Sequence, residues 1–146
     1  MWILGVMIVT CASLALPDKT LKLADLPAAV QSTVRQELKG GEIKNIIKET
    51  EKGVTRFEVE SVLNGKHRDF NIDTKGTLVT LEEETSIDAI PAAAKDALVK
   101  KIADGNLSMV EVVSKSGTTF YEASYVSKSG KKHEFAVTAS GTPVKN

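Results

Sequence analysis

Leu26-Pro27-Ala28-Ala29-Val30 returns as Ile90-Pro91-Ala92-Ala93-Ala94 at an offset of 64, and this return decides how the chain is read. At the same offset Gly41 pairs with Gly105, Gly53 with Gly117, Phe57 with Tyr121 and Glu58 with Glu122. One inserted residue then moves the offset to 65, where Gly65 meets Gly130, Phe70 meets Phe135, and Gly76-Thr77 meets Gly141-Thr142. The matching positions are mostly Pro, Gly and apolar residues, which set backbone and core. The polar positions mostly differ. This is the pattern of a duplicated scaffold and argues against a duplicated catalytic site.

Each copy reads as a helix followed by strands. Pro27 suits the first helical turn, where its missing N–H costs nothing. Leu26, Val30, Val34 and Leu38 then recur every four residues as one apolar stripe, ended by Gly40-Gly41. Ile90, Ala94, Leu98 and Ile102 repeat the stripe and end at Gly105. Runs rich in Val, Ile, Thr and aromatics follow at 42–51, 54–63, 66–74 and 77–84, then at 106–115, 118–128, 131–139 and a stub at 142–144. Glycine turns separate them, and Asn64-Gly65 is a strong hairpin signal. The predicted fold is α+β: two tandem repeats, each one helix followed by a four-stranded antiparallel β-meander packed on it. The boundaries are 17–25 for a lead-in, 26–89 for the first repeat and 90–146 for the second. Units of about 60 residues bury too little surface to be stable alone, so the repeats are expected to share an interface or a continuous sheet.

Alternation assigns the faces. Phe57, Val59 and Leu63 point one way, with Arg56, Glu58 and Glu60 opposite; Phe70 and Ile72 point inward on the next run. Tyr121, Ala123 and Tyr125, then Phe135 and Val137, form the inner set of the second repeat. Its outer face carries Phe120, Ser124, Val126 and Ala136 among Glu122 and Glu134. An apolar outer face must be covered by the other repeat or by a partner. Phe120, Glu122, Val126 and Glu134 are therefore the candidate partner-binding residues, with packing of Phe120 under the linker or against the first repeat as the alternative.

Taken together, these features resemble the PepSY-like domain family, and within it the tandem group similar to beta-lactamase-inhibitor proteins. The carrying residues are Leu26-Pro27-Ala28-Ala29-Val30 and Ile90-Pro91-Ala92-Ala93-Ala94 at the helix starts. Gly53 before Phe57-Glu58-Val59 and Gly117 before Tyr121-Glu122-Ala123 match the glycine turn that precedes an aromatic-Glu-aliphatic strand. Phe70-Asn71-Ile72-Asp73 and Phe135-Ala136-Val137-Thr138, each followed by glycine, match the closing strands. The resemblance covers about residues 26–144 and implies an exported, protein-binding module without catalytic residues. It supplies no active site to transfer.

Residues 1–16 carry no charge. They fit the apolar core of a secretory signal peptide, with Ser13-Leu14-Ala15 as a small-x-small cleavage site, although a basic leading region is missing. Lipidation at Cys11 is disfavoured by Thr10 in front of it. Cys11 is the only cysteine, so a chain trimmed near Ala15 has neither disulfide nor thiol nucleophile. Localisation is expected to be periplasmic or secreted, with membrane contact only through the signal segment. The net charge is zero, which leaves no electrostatic footprint for nucleic acid. Residues 26–89 carry a net charge of −3 and residues 90–146 a net of +3, a polarity that can dock the repeats or steer a partner.

Catalytic and metal chemistry finds little support. His67 and His133 fall out of register and lack the further ligands that zinc needs. Glu82-Glu83-Glu84 with Asp88 has no calcium-loop spacing and reads as a solvated charge run. Glu58 and Glu122 are matched carboxylates placed outward on strands. No cofactor and no enzyme activity are expected. The expected function is a non-catalytic exported module that binds a protein, one target class being an envelope enzyme such as a peptidase that it inhibits or regulates. The alternative is a small-ligand or metal-ion carrier using a cleft between the repeats.

Overall fold

Both proline signals sit where a helix begins. In the computed structural model, which describes residues 20–144, α1 spans Ala28–Leu38 and Pro27 precedes it as N-cap. Four glycine-punctuated strands follow: β1 (Glu42–Glu51), β2 (Val54–Leu63), β3 (Lys66–Asp73) and β4 (Leu78–Thr85). The second half gives α2 (Ala92–Ile102), capped by Pro91, then β5 (Asn106–Lys115), β6 (Thr118–Val126) and β7 (Lys132–Val137). Asn64 and Gly65 both take positive φ, at 54° and 79°, as the tight β2–β3 hairpin requires. The signal-peptide and Cys11 expectations concern residues outside those described.

The expectation of two tandem repeats, each with its own four-stranded meander, is corrected by the sheet. All strands belong to one seven-stranded antiparallel sheet whose order is the chain order, β1 to β7. β4 and β5 close it by pairing Thr80 with Lys115 through to Thr85 with Val110. Two small separate sheets would each leave an open edge, and pairing those edges removes both. The segment 142–144 is not a strand. Val137 forms a single bridge to Pro143, whose ring nitrogen has no hydrogen to extend a ladder. The Val144 N–H then reaches the Ala136 carbonyl at 2.9 Å, which folds the tail back over β7.

The helices cover one face only. Val30 and Val34 of α1 meet Leu26, Ile46, Phe57, Val59, Phe70 and Ile72 in a first core. Ala94 and Leu98 of α2 meet Val110, Ala123 and Val137 in a second. Register places both cores on the same side, because Leu81 of the first stands opposite Ser114, whose side Val110 shares. The second core is thinner: Ala94 and Ala123 stand where the first has Val30 and Val59, and Tyr121 is half-buried where Phe57 is buried. The loops after β3 and β7 dock on the helix starts. A Cβ at Gly76 would lie 2.8 Å from the Ala29 carbonyl oxygen, and one at Gly141 would lie 2.6 Å from that of Ala93. Only glycine permits so close an approach.

Candidate functional site

The opposite face carries no helix, and alternation loads it with carboxylates. β2 contributes Glu58 and Glu60, β3 contributes Asp69, and β4 contributes Glu82 and Glu84. From the second half, β5 adds Glu111, β6 adds Glu122 and β7 adds Glu134. Several pair directly across strands: Asp69 with Glu82, Glu84 with Glu111, and Glu111 with Glu122. Like charges directly opposite one another destabilise a sheet. At about 5 Å and an effective dielectric of about 20, each ionised pair repels by about 3 kcal/mol. That exceeds what strand propensity returns at any one position.

The carboxyl groups respond by holding their protons. Burial, reinforced by the Glu49, Glu60, Glu82 and Asp69 carboxylates, pushes Glu58 up to about 7. Burial with the charges of Glu122, Asp69 and Glu134 brings Glu82 to about 7, against a lowering pull from Lys115. Glu111 also reaches about 7, through burial and the charges of Glu82, Glu122, Asp69 and Glu134. Burial also raises Glu122, with Glu134 adding to it. Asp69 is raised by burial in spite of the bond it accepts from the Ser61 N–H at 2.8 Å. Glu111 is the extreme case. It is 6% exposed and has no hydrogen-bond or ion-pair partner among the described residues.

A pH dependence follows from these directions. The folded-state values of Glu58, Glu82 and Glu111 lie above the ordinary 4.5, so the native state binds protons more tightly than the unfolded chain. Stability is therefore highest below about pH 4.5 as far as these groups are concerned. It falls as pH rises toward 7 and stays low above it. Asp73, held down first by the Thr77 N–H, works in the opposite sense but below this window. A tenfold change in proton affinity is worth about 1.4 kcal/mol, and solvent screening and mutual coupling reduce the sum. Urea unfolding is expected to show about 2–3 kcal/mol less stability at pH 8 than at pH 5, with Glu111→Gln recovering about half. A flat or rising profile would contradict this arrangement of the face.

The structure places the four sequence-derived residues on this open face. Glu122 and Val126 are half-buried on β6, and Glu134 is exposed on β7. Phe120 is not presented to solvent. It is 8% exposed and packs with Val113, Ala136 and Val144 of the returning tail, and it lines one pocket with Arg56, Asn71 and Thr80 of the first half. Glu58 and Glu122, the matched pair, stand four strands apart, about 19 Å at ordinary strand spacing. That is too far for paired acid–base work. The run Glu82-Glu83-Glu84 divides between the faces, with Glu83 exposed and Glu82 and Glu84 partly buried. Glu82 joins the acidic face, Glu83 turns inward to Arg68, and the Glu84 carboxylate accepts the His67 N–H at 2.9 Å. Sequence reasoning misses Glu82 and Glu111 as site residues, although the same alternation that places Glu58 and Glu122 marks both. His67 and His133 are exposed, and the His133 ring stacks on Tyr125 at 5.1 Å.

An open pocket of about 290 Å³ lies along this face, lined by Arg56, Asn71, Thr80, Glu82, Lys115 and Glu122 among others. Among the described residues, no group of three or more His, Cys, Asp or Glu side chains has the geometry to hold a metal ion. No helix among them is long and apolar enough to cross a membrane. The β4–β5 ladder closes the position where a cleft between the halves was expected.

No family model matches the chain. No curated protein matches it either. Several solved structures share its fold. A Bacteroides eggerthii protein described as periplasmic superposes with a TM-score of 0.65 at 17% identity, over 82% of this chain and 86% of its own. A DUF2874 family protein from Bacteroides ovatus gives 0.63 at 17% identity, over 82% and 85%. A BLIP-like protein from Bacteroides fragilis gives 0.59 at 18% identity, over 82% and 84%. What the chain has in common with them is the fold.

Proposed function

We propose that the protein is a non-catalytic, exported binding module of the PepSY-like kind, which presents the open face of its sheet to a protein partner. The observation that carries this reading is Glu111, a residue only 6% exposed whose carboxyl has no hydrogen-bond or ion-pair partner among the described residues and keeps contact with solvent, in the middle of an acidic face that no helix covers. A face needed only for stability would be expected to carry neutral polar residues there, since an unpaired and largely desolvated carboxylate is costly to ionise. The charge-free run over residues 1–16 supports export. The shared fold with a BLIP-like protein supports a binding role, although fold alone does not fix function.

The test is capture from envelope extract with the tagged mature chain, carried out on three proteins. Wild type is expected to retain a defined partner. Glu122→Arg, on the open face, is expected to remain folded and lose it. Val99→Arg, at a 50% exposed position of α2 on the helical side, is expected to keep it. The reverse pattern, with capture lost on the helical side alone, would overturn the reading.

A further inference from the structure

We propose that Glu82, Glu111 and Glu122 form a seat for the cationic head of a lysine or arginine side chain presented by the protein partner. The inference rests on the open-face reading above and names the chemistry of its occupant. The three residues lie on consecutive strands β4, β5 and β6. Glu111 stands directly opposite Glu122, while Glu82 stands opposite Val113, the next residue on Glu111's side of β5. Glu111 is the floor of the seat, 6% exposed and without a hydrogen bond or ion pair among the described residues.

The other face of the same sheet shows how this fold treats a buried charge that serves stability. Arg68, 2% exposed, is matched by Glu37 and Glu83 and by a backbone carbonyl. Glu111 receives nothing comparable. Its surroundings are acidic instead: Asp69 from β3, Glu82 and Glu84 from β4. From the far side come Glu122 of β6 and Glu134 of β7. The nearby cations are His67, which faces Asp69, Lys115, which faces Glu82, and Arg56, which lines the same pocket as Glu82 and Glu122; among the described residues none of them pairs with Glu111.

The occupant must therefore bring positive charge, which excludes phosphate-bearing nucleic acid. A calcium ion needs several oxygens converging at roughly 2.3–2.6 Å. The carboxylates are instead set apart by the strand spacing of the sheet, and no three of them have metal-holding geometry among the described residues. A guanidinium has five donors and an ammonium three, so either can bond carboxylates on more than one strand. Protons compete with the cation for the same oxygens, so occupancy is strongest above pH 7 and falls toward pH 5.

Titration calorimetry with hexa-arginine peptide tests the seat on the full mature chain. At pH 8 and low salt, Glu111→Gln and Glu122→Gln are each expected to weaken binding at least about tenfold, the scale of a lost charge-assisted bond. Glu51→Gln removes the same charge at the exposed β1–β2 turn and is expected to change affinity less than about twofold. Wild type is expected to bind about tenfold more weakly at pH 5.5 than at pH 8. Because Glu111→Gln relieves repulsion, lost binding will not reflect unfolding, and circular dichroism checks this. The seat is overturned if hexa-arginine fails to bind, if Glu51→Gln weakens it as much as Glu111→Gln, or if calcium binds at Glu111 and excludes the peptide. Partner capture separates the two readings. Capture that depends on the open face but survives Glu111→Gln leaves the binding module standing and removes the seat. Capture indifferent to the open face removes both.

Discussion

Phe57→Ala is expected to lower stability by about 3–5 kcal/mol, the range for truncating a buried aromatic. Phe57 is 5% exposed and sits in the first core with Val59, Phe70 and Ile72; across the ladder it faces Ile72 of β3. Val30 and Val34 of α1 close that core from above. These β-branched side chains are stiff, and the helix they belong to is held at both ends, so the cavity cannot collapse fully. A domain of this size has about 5–15 kcal/mol in total, so the variant should approach the limit of folding. Urea unfolding gives the direct reading, through a lower midpoint at unchanged slope. A midpoint equal to wild type would mean that the face assignment of β2 is inverted.

Arg68→Ala is expected to cost a similar amount, about 3–5 kcal/mol, for an electrostatic reason. The Arg68 guanidinium donates from Nη2 to Glu37 Oε2 at 2.9 Å, from Nε to the Glu37 backbone carbonyl at 3.0 Å, and from Nη1 to the Glu83 carboxylate. It thus ties the last turn of α1 to β3 and β4. A cation at a helix C-terminus is favourable in its own right, and here it also satisfies a carbonyl of the last turn. Removal strands Glu37, 17% exposed, beside Glu83 with no cation between them. Arg68→Lys should recover only part of the loss, since an ammonium cannot reproduce the planar fork. The triple replacement of Arg68, Glu37 and Glu83 by apolar residues should lose less than Arg68→Ala alone. A loss from Arg68→Ala below about 1 kcal/mol, the level of a surface pair, would show that the clamp contributes nothing.

The elements themselves are legible in the sequence because their signals are local. Asn64-Gly65 and Ser116-Gly117 end strands within a residue of where the ladders stop, and Pro27 and Pro91 mark the helix starts. Alternation places Phe57, Phe70, Ala123 and Val137 inward correctly. What the sequence hides is non-local. Nothing within 78–85 or 106–115 says that these two strands pair with each other, since a strand edge looks alike whether it meets solvent or a distant strand. Phe120 illustrates the same limit: its cover, Val144, lies beyond the end of β7. The acidic face is within reach, because period-2 counting puts Glu82, Glu84 and Glu111 outward. Reading 82–84 as one charge run, instead of as alternating side chains, conceals it.

Such a sheet also governs how the protein can diversify. Because every strand pairs only with its neighbours in the chain, no connection between strands crosses the open face. The hairpin tips at Lys52-Gly53, Thr74-Lys75-Gly76 and Ser116-Gly117 gather along one end, and the tips after β2 and β6 along the other. The floor of the face is built from strand interiors, and its rim from turns. Turns accept insertions that strand interiors do not. Under the proposed binding role, reach and selectivity can be altered at the free tips of the rim, the Gly76 turn being docked on α1, while the carboxylates of the floor keep their spacing.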